Sequence, residues 1–339
     1  MSEPLDERKA AILRAIVEQY VASAQPVGSA TVTHTAEVGV SAATVRNEMS
    51  ILEREGYIVQ PHTSAGRVPA DRGYLYYVDR LAGATQLPSA ERRKIADFFT
   101  SATMAMDDLL YETSQLLTQV TAHAAVVMGP QSEAVVVRGA QLALLQPRVV
   151  LAVAILSNGA VEKEVVTLDE DADEELISAA SVEFAKLLEG RRLGEVTVPA
   201  ADPQAPAANA LARNACEALR SHLGAHHGEP LYVGGASRLA AERASFQQTT
   251  VARIIELLEQ HVVLAALVRE LLGPGLTVRI GAENARDDLL ECSLVLAPYL
   301  VEGEPAGTVG VLGPTRMDYG KAQAAVAAIS LQLGKQLSR

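Results

Sequence analysis

The sequence has few of the features that mark secreted, membrane or metal-binding proteins. It holds two cysteines, Cys216 and Cys292, which form neither a C-x-x-C pair nor a zinc-site spacing. We therefore expect reduced core thiols and no metal site. The longest strand-like apolar run, VVLAVAIL from Val149, is far shorter than the roughly 18 residues of a membrane span. The charged start MSEPLDERK is unlike a signal peptide, so we expect a cytoplasmic protein without a membrane partner.

The sequence also lacks the motifs from which an enzymatic site could be inferred. It contains no G-x-S-x-G nucleophile motif, no P-loop and no dinucleotide-binding G-x-G-x-x-G. An enzyme would have neither an evident nucleophile nor a phosphate-binding loop. We predict that the chain is not an enzyme and holds no cofactor.

The charge is negative overall but unevenly distributed. A formal charge of -12 argues against a protein that binds polyanions through its overall field. Residues 1–80, however, carry 8 Lys and Arg against 10 Asp and Glu, so most of the acidity belongs to the C-terminal part. At 339 residues and 49% hydrophobic, the chain is long enough for two or three domains with sizeable cores.

The first 56 residues have the pattern of three short helices. The first helix has an apolar stripe at helical spacing, and QPVGS ends it. Ser29 and Ser41 are candidate N-caps for the next two helices, which the turn EVGV joins. Two helices joined by a tight turn that contains glycine predict a helix-turn-helix unit.

The third of these helices has two different faces. Val45, Met49 and Leu52 share the side expected to pack on the first two helices. The opposite side combines small residues with hydrogen-bond donors, as entry into a DNA major groove requires. We therefore predict DNA-binding residues at Ser41, Ala43, Thr44, Arg46, Asn47, Ser50 and Arg54.

A polar ribbon is expected directly after this helix. YIVQ and RVPA can pair as antiparallel strands, and the loop PHTSAG between them offers hydroxyls and backbone N–H groups. Such a ribbon is typical of the wing of a winged helix, within a domain of residues 1–82. We predict further DNA contacts from His62, Thr63, Ser64 and Arg67.

The rest of the chain alternates between strand-like and helical patterns. Strand-like runs precede residue 168 and return after residue 276, and a mainly helical block lies between them. This order predicts one α+β domain, residues 90–168 and 276–339, interrupted by an inserted domain, residues 169–275.

One apolar helix of the inserted block has the spacing of a dimer seam. Its apolar positions alternate three and four residues apart, which fits either a coiled-coil seam between two chains or a helix buried within its own domain. The residues expected to mediate dimerisation in the first case are Val251, Ile254, Leu258, Val268 and Leu272.

Several segments together resemble the HrcA family of bacterial heat-inducible transcription repressors. They are PVGS (26–29), GVSAATVRNEM (39–49), LEREGYI (52–58), PHTSAGRVP (61–69), DRGYLYYVD (71–79) and GTVGVLGPTRMDYG (307–320). Ala70 stands where the family usually has Thr or Ser, and Leu75 where it usually has Arg. The second departure removes a candidate phosphate contact.

The resemblance implies a multidomain α+β fold and a repressor function. Its parts would be a winged helix-turn-helix, a GAF-like domain and an inserted dimerisation domain. The implied partners are double-stranded operator DNA with an inverted repeat, a second copy of the chain, and the GroEL chaperonin, which would support activity. A winged-helix regulator whose GAF-like domain responds to a small-molecule effector remains the alternative.

Overall fold

The described part of the chain is a mixed α+β protein with three sheets. A computed structural model describes residues 5–35, 39–62, 65–82, 86–130, 136–157, 161–192, 196–198, 200, 206–225, 230–241, 248–284 and 286–338. Its strands form sheets of two, five and three strands. Among the helices of these ranges, none combines the length and the apolar character needed to cross a membrane.

The N-terminal unit consists of three helices, a ribbon and a fourth helix. The elements are α1 (Glu7–Ser23), α2 (Ser29–Thr35), α3 (Ala42–Arg54), β1 (Ile58–Val59), β2 (Val68–Pro69) and α4 (Asp71–Tyr76), which continues as a π-helical turn over Tyr77–Leu81. β1 and β2 pair antiparallel. These elements agree with the three helices and the ribbon that the sequence predicts.

Side-chain caps stabilise the N-termini of α1 and α3. The Asp6 carboxylate accepts the N–H of Lys9 at the start of α1, and the Ser41 hydroxyl accepts the N–H of Thr44 at the start of α3. Each cap satisfies one of the unpaired N–H groups of a helix N-terminus. The N–H of Lys9 holds the pKa of Asp6 below its usual value, since that bond favours the carboxylate.

The largest unit is built on a five-stranded antiparallel sheet. Its strands are β3 (Ala124–Met128), β7 (Leu231–Gly234), β8 (Thr277–Ile280), β9 (Cys292–Val301) and β10 (Glu304–Pro314). They lie in the order β7-β3-β10-β9-β8. Helices cover both faces, because alternate residues of β3 and β9 belong to two separate apolar clusters. One face packs on α5 (Ser89–Ser101), α6 (Met106–Thr121) and α12 (Tyr319–Leu337), and the other on α10 (Gln248–Glu259) and α11 (His261–Leu271).

A second, smaller unit has its own sheet and its own core. β4 (Val137–Gln146), β5 (Val149–Leu156) and β6 (Val161–Thr167) form an antiparallel sheet. α7 (Glu174–Leu188) and α8 (Ala207–Ala225) cover one of its faces. The short helix α9 (Ala236–Ala241) follows β7.

This grouping corrects the boundaries expected for the insertion. The strands of residues 137–167, expected in the interrupted domain, pair with one another and pack on α7 and α8. The segment 231–271, expected in the insertion, contributes a strand and two helices to the five-stranded unit. The order of strands and helices along a chain does not determine which strands pair. Both segments were therefore assigned to the other of the two units.

The N-terminal unit is docked on the five-stranded unit through α4. Tyr74 and Tyr319 are buried, and their ring centroids lie 5.7 Å apart. An Asp71 carboxylate oxygen accepts the N–H of Ala282 at 3.3 Å. Gly281 has φ +54°, and a Cβ there would lie 2.0 Å from that same oxygen. The contact therefore needs glycine both for the backbone conformation and for the close approach.

Gly281→Ala is expected to destabilise this junction. The substitution adds left-handed backbone strain and a steric clash with Asp71, each costing on the order of 1–3 kcal/mol. Gly39→Ala is the matched control, because Gly39 has φ +59° and open space around its Cβ position. Urea unfolding should show a larger loss of unfolding free energy for Gly281→Ala than for Gly39→Ala. Equal losses would contradict the close contact.

Candidate nucleic-acid interface

Helix α3 buries one face and exposes the other, as its sequence predicts. Val45, Met49 and Leu52 lie in the core of the N-terminal unit. The side chains on the opposite face that are exposed to solvent are Ala43, Arg46, Asn47, Ser50 and Arg54. This face combines an amide and two guanidinium groups with small side chains that allow close approach. Such groups can bond adenine or guanine edges in a major groove.

The other expected site residues lie in different surroundings. Ser41 and Thr44 form the cap of α3, and their hydroxyl oxygens are 3.0 Å apart. His62 is exposed just beyond β1. Thr63 and Ser64 lie outside the described residues. The structure thus places five of the expected residues on one helix face and two at its N-terminus.

Two acidic residues of α3 form ion pairs with arginines of the same unit. Glu48 lies 3.5 Å from a guanidinium nitrogen of Arg8. Glu53 pairs with Arg67, whose Nε donates to a carboxylate oxygen and whose Nη2 lies 2.9 Å from the same oxygen. The positive charges of the two arginines therefore reduce the repulsion between these carboxylates and a polyanion. The pairing also places Arg67 differently from the phosphate contact expected of it, because its guanidinium faces Glu53.

Arg72 anchors the C-terminal end of α3, and the sequence analysis missed it. Its Nη1 donates to the carbonyl of Glu55 at 2.6 Å, and its guanidinium lies 4.4 Å from the centre of the Tyr57 ring. A cation is favourable at a helix C-terminus and over an aromatic face. Arg72 and Glu55 are 17 residues apart, so no local spacing could have revealed the contact.

The apolar helix expected to form a dimer seam belongs to the core of its own unit. Ile254, Leu258 and Val268 are buried against the five-stranded sheet, and Val251 and Leu272 pack at the edge of the same cluster. Gln260 separates α10 from α11, so the seam is not one continuous helix. Of the two interpretations, the structure shows the apolar residues packed within their own unit, so they do not form an exposed seam.

The family model and the relatives that match this chain name the same family. Residues 107–322 match the family model described as "HrcA protein C terminal domain". The chain is 38% identical to the heat-inducible transcription repressor HrcA of Nocardia farcinica, covering 100% of this chain and 99% of that protein. It is 40% identical to the protein of the same name from Kineococcus radiotolerans, covering 98% and 99%.

A solved structure shares the fold. It is described as a hypothetical protein at 2.2 Å resolution, and it matches with a TM-score of 0.63 and 22% identity over 98% of both chains. At this identity the likeness shows the fold alone.

The matched relatives define the class of this protein as transcription repressors, which are not enzymes. More particularly, the chain belongs to the HrcA family of heat-inducible transcription repressors. The resemblance seen in the sequence is thereby confirmed.

Proposed function

We propose that the protein represses heat-shock genes by binding an inverted-repeat operator as a homodimer, and that residues 1–82 are its winged-helix DNA-binding domain. The observation that carries this proposal is the exposed face of α3, where Arg46, Asn47 and Arg54 stand outward on a helix with a buried opposite stripe. A helix held in this way can enter a major groove, while the ribbon of β1 and β2 lies along the neighbouring backbone.

The exposed residues of α3 have distinct roles in this proposal. The Asn47 amide can bond the N6 and N7 edge of adenine, and a guanidinium can bond guanine or a phosphate. Ala43 is small enough to contact a thymine methyl group. His62, Thr63 and Ser64 would contact the sugar-phosphate backbone from the ribbon, which positions the domain without reading sequence.

Asn47→Ala is expected to weaken binding to the preferred site by about 1–3 kcal/mol and to relax base preference at one position. The side chain is exposed, so the fold should be unaffected. Binding to duplexes selected from a random-sequence library by the parent protein measures both effects. Asn214→Ala, the same change at an exposed site on α8, is the control. Unchanged affinity and selectivity in a folded Asn47→Ala protein would refute the role of this residue.

We place the dimer contact on the open face of the three-stranded sheet. On the side away from α7 and α8, Leu151 pairs across the strands with Val165, and Ile155 pairs with Val161. Three of these side chains are about half exposed although they are apolar. Val153 connects the two pairs along β5, and the exposed Lys163 lies opposite it on the edge strand β6. An apolar patch with a polar side chain at its edge marks a protein contact surface. A twofold dimer through it would present two copies of α3 to the two halves of an inverted repeat.

Val165→Glu is expected to dissociate this dimer, because it places a negative charge in the apolar patch, opposite Leu151. Val182→Glu on α7 is the matched control, since Val182 is 54% exposed and Val165 is 53% exposed. Sedimentation should show monomers for Val165→Glu and the parental state for Val182→Glu. A parental state for both variants would remove this surface as the dimer contact.

We further propose that the GroEL chaperonin supports the active state. The five-stranded sheet closes contacts between distant segments, for example the hydrogen bond from the Tyr299 hydroxyl to the carbonyl of Met128, 171 residues away in sequence. Such contacts slow folding and leave apolar strands exposed while it proceeds. Heat would act by diverting the chaperonin to other unfolded proteins.

Refolding with GroEL, ATP and co-chaperonin is expected to raise the fraction of protein that binds DNA. Titration with a selected duplex counts the active molecules, and the same mixture without ATP is the control. An unfolded competitor should reduce the gain. An active fraction that responds neither to the chaperonin nor to the competitor would contradict regulation by chaperonin supply.

A further inference from the structure

The guanidinium of Arg67 is held by a carboxylate of α3. Its Nε donates to Oε2 of Glu53 at 3.0 Å, and its Nη2 lies 2.9 Å from the same oxygen. Only 18% of the Arg67 side chain and 33% of the Glu53 side chain are exposed. Solvent and salt screen such a pair less than they screen a pair on the open surface. The pair therefore links the end of α3 to the base of the ribbon.

The backbone of Arg67 is fixed as firmly as its side chain. Arg67 and Val27 exchange two backbone hydrogen bonds of 2.8 and 2.9 Å, which tie the ribbon to the segment between α1 and α2. At the preceding residue, Gly66, a Cβ would lie 2.5 Å from the carbonyl group of Val27. Through its backbone and its side chain, Arg67 therefore connects the ribbon both to Val27 and to α3.

We propose that Arg67 and Glu53 are positioning residues for DNA binding, and that Arg67 acts through Glu53 rather than by contacting a phosphate. The inference rests on the proposed DNA-binding function. A phosphate contact through Nε and Nη2, the side of the guanidinium that faces Glu53, would require the group to leave that carboxylate. That movement would leave an unpaired, partly buried carboxylate beside a polyanion. Burial of the unpaired charge and its repulsion by the polyanion are both unfavourable.

The two roles predict opposite effects of neutralising Glu53. If Glu53 merely competes with a phosphate for Arg67, Glu53→Gln frees the guanidinium and tightens binding. If Glu53 positions the ribbon, the same change weakens binding even though it removes a negative charge near the DNA. The sign of the effect therefore separates the two roles.

The experiment uses the full-length protein and a duplex that the parent selects from a random-sequence library. Glu53→Gln should weaken binding about tenfold, as loss of a charge-assisted hydrogen bond does. Glu55→Gln is the matched control, because it removes the same charge from the same end of α3 at an exposed position. It should leave binding unchanged or slightly tighter. Thermal unfolding of each variant checks the fold.

Arg67→Lys and Arg67→Gln test the arginine itself. Lysine keeps the charge but lacks the planar fork that places two N–H groups on one carboxylate. Both variants should lose affinity to a similar degree, with the slope of log affinity against log salt unchanged. A phosphate ligand would instead show near-parental binding for lysine and a slope reduced by about 0.9 for glutamine.

Several outcomes would overturn the inference. They are tighter or equal binding by Glu53→Gln, parental binding by Arg67→Lys, or the reduced slope in Arg67→Gln. Should Glu53→Gln fail to fold, the Arg67→Lys result decides. A parent protein that selects no duplex from the library would overturn the proposed function and this inference with it. A parent that binds, with unaffected pair variants, overturns the inference alone.

Discussion

Burial of Val45, Met49 and Leu52 is the constraint on which the N-terminal unit depends. These side chains fix the rotation of α3 about its own axis, and that rotation decides which residues face outward. The cap at Ser41 fixes where the helix begins, and Arg72 holds the backbone where it ends. The exposed face is thus a consequence of core packing and end contacts. Its donors are presented in one arrangement before any partner arrives, which reduces the ordering cost of binding.

The same unit is continuous with the body of the protein. Tyr74 of α4 lies in one apolar cluster with residues of the five-stranded unit, and the Asp71 contact with Ala282 adds a directed hydrogen bond. Burial raises the pKa of Glu283 at this junction, nearby Asp79 and Asp71 raise it further, and Arg279 opposes them. The body therefore determines how α3 is oriented, and a change in the body can reach the exposed face of α3 through α4.

Local patterns predicted the N-terminal unit well, whereas long-range pairing did not follow from them. The cap at Ser41 and the buried stripe of α3 depend on residues within one or two turns, so the sequence contains the information. Which unit contains residues 137–167, and which contains residues 231–271, depends on which distant strands pair. Strand composition is similar in both sheets, so it does not reveal the pairing. The periodicity of residues 251–272 is that of any helix with one buried face, whichever surface it packs on. The pairing of Arg67 with Glu53 joins residues 14 apart across a turn, which spacing rules do not cover.

The central claim is that two copies of the exposed face of α3 meet the two halves of one DNA site. Dimethyl sulfate footprinting of the full-length protein on its own genomic DNA tests it most directly, because the reagent modifies guanine N7 in the major groove. The account predicts protection in two half-sites related by a twofold axis and separated by whole turns of the duplex. Protection in a single unsymmetrical patch, or a binding site without major-groove protection, would contradict it.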